Sequence, residues 1–180
     1  MIFIFHRSVP LYERANFIIY ILSRLSVNLG QSVFMFAVTY FIMYETGSAL
    51  YFSINLVISM VVSFIVLPFS GYLSDFKNKK RIILYGEGIQ VLLILSFFGL
   101  VTFSGVNLFV IYTYTFLSSL VSPFISNAFQ SAIVELFDKS RIQKVTGYTA
   151  SILSSVIIGG PILAGILFGL LEFNQMILLF

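Results

Sequence analysis

The sequence predicts an all-α fold, a polytopic membrane helical bundle with five full spans and the beginning of a sixth. Three observations predict it. Apolar residues make up 59% of the chain and charged residues only 9%, where a soluble domain of this size carries about a quarter charged. The apolar runs exceed 20 residues, enough at about 1.5 Å per helical residue to cross a hydrocarbon core of about 30 Å. The cations cluster in alternate gaps between those runs, which is the signature of loops on one membrane face.

In order, the spans are expected at residues 16–44, 49–73, 82–102, 108–134 and 145–171, with a sixth from 174 onward. Turn chemistry separates them. Glu45-Thr46-Gly47-Ser48 ends the first, and the basic stretch 71–81 divides the second from the third. Ser104-Gly105-Val106-Asn107 precedes the fourth, residues 135–144 lie between the fourth and fifth, and Glu172-Phe173-Asn174 follow the fifth. Arg7 and Arg14 precede the first span. Lys77, Lys79, Lys80 and Arg81 fall in the second gap, and Lys139, Arg141 and Lys144 in the fourth. The intervening gaps hold no Lys or Arg, only Glu45 and Glu172. Residues 1–15 are therefore expected as a cytoplasmic N-terminal segment and 16–180 as a transmembrane bundle incomplete at its sixth helix, with Gly47 and Gly105 outside.

Composition also excludes function classes. The pI near 9.2 reflects cytoplasmic turns beside anionic lipid, and no tract alternates aromatics with cations as a nucleic-acid platform requires. Cysteine is absent and the single histidine, His6, lies outside every span. No nucleophile-base pair or metal-ligand set can then be assembled within the membrane. Neither an enzyme nor a cofactor is expected. The apolar Met1 to Phe5 is too short for a signal-peptide core, and cleavage is not expected.

Polar residues within apolar spans are costly and so mark function or packing. Arg24, Asn28 and Gln31 share one face of the first span, with Thr39 two turns on. In the fourth, Tyr112, Thr115, Ser119, Ser122, Ser126 and Gln130 repeat every three or four residues beside Asn127, and a thinner stripe, Asn55, Ser59 and Ser63, runs along the second. The hydroxyls read either as interhelical packing or as a cavity wall. Arg24 points to a cavity, because a central arginine costs about 2.5–3.5 kcal/mol to insert. Glu87, between Gly86 and Gly88, reads either as an acid reaching the surface or as a protonatable site within the bundle. In the fifth span Gly159-Gly160-Pro161 with Ala164, Gly165 and Gly169 predicts a bent, closely packed helix.

Gly71, Leu73, Asp75, Lys79 and Lys80, with Arg81 adjoining, resemble the second-to-third loop signature Gly-x-Leu-Ala-Asp-Arg-x-Gly-Arg-Arg of the major facilitator superfamily. Asn78 stands at a glycine position and Phe76 at a basic one. Gly160-Pro161-x-x-Ala164-Gly165 resembles the family's antiporter signature. The stretches 29–31 and 44–49, with Ser122-Pro123 and Ala128, are similar to the macrolide-efflux-like permease branch.

The resemblance implies the N-terminal half of a twelve-span secondary transporter whose first and fourth helices line a substrate cavity. It implies a C-terminal half in the same or another chain, a small-molecule substrate, and protons as coupling ion. Asp75 and the loop cations Lys79, Lys80 and Arg81 would stabilise the outward-facing state. The expected activity is export of small amphiphilic organic compounds by alternating access. The alternatives are a metabolite uptake permease and a membrane interaction module, or truncated remnant, that transports nothing.

Overall fold

The computed structural model describes residues 10–104 and 107–170. They form five helices, α1 (Pro10–Thr46), α2 (Ala49–Phe76), α3 (Lys79–Ser104), α4 (Leu108–Leu136) and α5 (Lys139–Leu170), and no strand among the described residues. All five are long and apolar enough to cross a membrane. Arg7, His6, Gly105, Glu172 and the start of the sixth span lie outside the described residues.

The helices are longer and the turns shorter than the hydropathy pattern implies, because polar residues continue the helical hydrogen-bonding past the apolar runs. The α1 backbone begins at Pro10, six residues before the apolar run, since proline is favoured in a first helical turn. It stops where Gly47 adopts a φ of 59° and closes its N–H on the Met43 carbonyl at 2.9 Å, a left-handed cap that glycine adopts without strain.

The basic loop shrinks to Lys77 and Asn78. Lys77 is extended and returns its N–H to the Leu73 carbonyl at 3.0 Å. The Asn78 side chain accepts the Arg81 N–H at 3.1 Å, so it serves as a helix N-cap. Gly71 and Asp75 thereby belong to the end of α2, and Lys79, Lys80 and Arg81 to the first turn of α3. The α4–α5 turn has the same construction: Phe137 N–H bonds Ile133 O at 3.1 Å and Arg141 N–H bonds Asp138 O at 2.8 Å.

α4 lies at the centre of the bundle. It runs parallel to α2 along a polar ladder: the Tyr112 hydroxyl donates to the Tyr51 carbonyl at 3.0 Å, Thr115 to Asn55 at 2.8 Å, Ser119 to Ser59 at 3.2 Å and Asn127 to Ser70 at 2.7 Å. Much of the hydroxyl-rich stripe of α4 is thus interhelical packing. Of the rest of that stripe, Gln130 is exposed.

α3 packs antiparallel on α4, where a Cβ at Gly86 would lie 2.5 Å from Ile125. α5 runs parallel to α1, with Ser32 donating to the Val156 carbonyl at 3.4 Å and Gly160 set directly against Ser32. Close approach is carried by Gly86 and Gly160. Gly88, Gly159, Gly165 and Gly169 have nothing within 4 Å of an added Cβ, because they point away from the contact lines that Gly86 and Gly160 occupy on the same helices. α5 continues as helix through Pro161.

Two apolar clusters close the bundle. Tyr20, Ile83, Ile125, Phe129, Leu136 and Phe137 pack near the basic turns. Phe34, Val38, Ile42, Phe97, Val101 and Ile111 pack towards the Gly47 end. The outer surface carries large apolar side chains such as Phe64, 79% exposed. That surface would aggregate in water and matches lipid.

Candidate functional site

A cavity of about 650 Å³ occupies the bundle between these clusters, walled by α1, α3 and α4 with contributions from α2 and α5. Such a volume suits a small organic molecule. Arg24, Asn28 and Gln31 of α1 line it together with Ser119, Ser122 and Ser126 of α4 and Glu87 of α3. The two polar faces meet because α1 crosses α4 antiparallel. Tyr20 donates to the Phe129 carbonyl at 3.2 Å, Arg24 Nη2 to Ser126 Oγ at 3.3 Å and Gln31 Nε2 to Ser122 Oγ at 2.8 Å, so rising α1 numbers meet falling α4 numbers.

Arg24 is 4% exposed. Its guanidinium carries five N–H donors. One of them goes to Ser126, and the guanidinium carbon sits 5.1 Å from the centre of the Phe129 ring. A cation over an aromatic face contributes about 0.5–2 kcal/mol, less than the insertion cost of about 2.5–3.5 kcal/mol for a central arginine. Arg24 Nε is buried and has no partner. Glu87 also has a buried, unpartnered oxygen, Oε1. The two groups feel each other's charge but do not form an ion pair. Two residues of one cavity wall therefore each carry an unsatisfied polar atom, one a donor and one an acceptor, a costly arrangement that a polar occupant would relieve.

Asn28 lines the cavity while its amide donates to the Arg24 carbonyl at 2.6 Å. Thr39, placed by helical spacing on the same stripe, donates to the Met35 carbonyl at 2.5 Å and is not part of the cavity wall. Fifteen residues from Arg24, the stripe has drifted around the helix away from α4.

Sequence reasoning missed Gln90. Its amide donates to the Ser118 carbonyl at 3.2 Å and to Ser122 Oγ at 3.1 Å, and its carbonyl accepts from Ser118 Oγ at 3.1 Å. Gln90 and Gln31 thus both engage Ser122, linking α1, α4 and α3 across the cavity. The available signal was an amide in an apolar span, one turn beyond Glu87 and on its face.

At the basic end, Lys79 forms an ion pair with Glu135 of α4, and the exposed Asp75 accepts from Ser131 Oγ at 3.4 Å. Both contacts tie the α2–α3 turn to α4. Comparison with curated proteins and with solved structures gives no significant match. The family model of the Major Facilitator Superfamily matches residues 17–180, which include every cavity side chain described above, and the chain belongs to this superfamily of membrane transporters.

Proposed function

We propose that the chain is the N-terminal half of a secondary active transporter that exports small amphiphilic organic compounds by alternating access, with protons as coupling ion, in the manner of the macrolide-efflux-like branch. The observation that carries this reading is Arg24, buried at the junction of the two polar helix faces in a cavity lined by apolar side chains and uncharged hydroxyls and amides together. A wall that sets apolar side chains beside hydroxyls, amides and a charge suits an amphiphile. Glu87 is the group in the cavity able to take up a proton and so to carry coupling. Residues 16–180 form one six-helix unit in this proposal, and its cavity is completed by a C-terminal half.

The N-terminus and both basic turns face the cytoplasm of a cell membrane. The chain has no cysteine, so single cysteines report without background. Gly47→Cys should react with an impermeant maleimide added to intact cells, and Lys79→Cys only after permeabilisation. Labelling of Lys79→Cys in intact cells would reverse the orientation.

Asp75 acts as a conformational latch at the cytoplasmic mouth. Because it lies at the end of α2 and is absent from the cavity wall, it can bias the equilibrium between states without contacting substrate. Asp75→Asn should slow transport about ten-fold while substrate affinity stays within a few-fold. Loss of binding with unchanged cavity accessibility would assign it to the substrate site instead.

A further inference from the structure

We infer that the substrate of this cavity is a zwitterion, an amphiphile whose anionic group is held by Arg24 and whose protonated amine is held by Glu87. The inference deepens the transport reading and rests on this cavity being the substrate site.

Two buried atoms lack partners here, and they differ in kind. Arg24 Nε is a donor bearing positive charge and Glu87 Oε1 an acceptor able to bear negative charge. Among the described residues these are the two charged side chains of the cavity, one from α1 and one from α3. α4 brings to the wall the uncharged Ser118, Ser119, Ser122, Ser126 and Asn127 and the phenol of Tyr114, while α2 and α5 bring no charge.

A purely anionic ligand would satisfy Arg24 and be repelled by the Glu87 carboxylate. A purely cationic one would satisfy Glu87 and be repelled by the guanidinium. A neutral ligand would leave each charge to the other's unpaired field across a site of low dielectric, with no ion pair made. A zwitterion satisfies both, and a carboxylate matches the planar fork of an arginine that already gives one N–H to Ser126. The apolar remainder of the ligand lies against Met35, Val38, Val91 and Ile94. A proton taken up by Glu87 removes its hold on the amine, so proton entry and substrate release are linked at one carboxylate.

The test uses fluorescent probes on one scaffold, with the complete transporter in lipid nanodiscs. Nε-dansyl-lysine carries both head charges on an apolar tail, its Nα-acetyl derivative keeps only the carboxylate, and its methyl ester keeps only the amine. Dansyl butylamide carries neither. Dansyl emission rises on entering an apolar cavity, so binding is read directly. The zwitterion should bind at least about ten-fold more tightly than either singly charged derivative, the scale of one charged hydrogen bond. Arg24→Gln should abolish the preference for the zwitterion over its methyl ester, and Glu87→Gln the preference over its acetyl derivative. Each comparison is made within one protein, so lower stability of a variant does not mimic the result. Equal binding of the zwitterion and the neutral amide overturns the inference and leaves the amphiphile cavity standing. Binding of none of the four overturns both.

Discussion

Arg24→Leu will insert and express at least as well as the unmodified chain, yet transport in the assembled protein will fall about 100-fold. Both effects have one cause. The substitution removes a charge that costs about 2.5–3.5 kcal/mol to place mid-membrane. It also deletes the donor to Ser126 and the cation over Phe129, leaving Glu87 as the charged group of the cavity among the described residues. A lost charged contact of about 1.5–3 kcal/mol is roughly ten- to 100-fold in binding, and the field around Glu87 changes as well. Arg24→Lys should restore part of the activity, since lysine retains the charge without the planar fork. Uptake or efflux of a fluorescent amphiphile by proteoliposomes measures this. Transport by Arg24→Leu at the unmodified rate would remove Arg24 from the substrate site.

Gly160→Ala will destabilise the bundle by about 1–3 kcal/mol, the usual cost of overpacking, whereas Gly165→Ala will be neutral or slightly stabilising. The sequence offers no reason for the difference, since both glycines belong to one small-residue motif. In the fold, a Cβ at Gly160 meets the Ser32 Oγ, with the Ser32 Cβ 2.7 Å away, while one at Gly165 meets nothing within 4 Å. Serine is too short to swing aside, so α5 must retreat from α1 and weaken the Ser32 to Val156 hydrogen bond. Ser32→Gly should recover part of the loss in the double variant, because it vacates the contested space. Unfolding in mixed micelles measures the ordering. Equal stability of the two alanine variants would mean that α1 and α5 do not cross at Gly160.

Length, hydropathy and cation placement are properties of the chain itself, and they determined five spans, with boundaries within six residues of the helix ends, and a membrane protein. A lipid solvent leaves a 20-residue apolar segment little choice but a helix. The recurrence of Arg24, Asn28 and Gln31 at helical spacing likewise determined that α1 has a polar face. Which neighbour covers a face is decided by crossing geometry, and periodicity is silent about that.

The tertiary structure alone directed Thr115 and Ser119 towards α2, and Ser122 and Ser126 towards α1. It turned Thr39 back to its own helix and brought Gln90 to the Ser122 hydroxyl from a third helix. It also separated Gly160 from Gly165 and set the unpaired atoms of Arg24 and Glu87 in one cavity. A helix presents its residues in every direction at fixed intervals, and only the placement of the other helices turns one of those directions into a site.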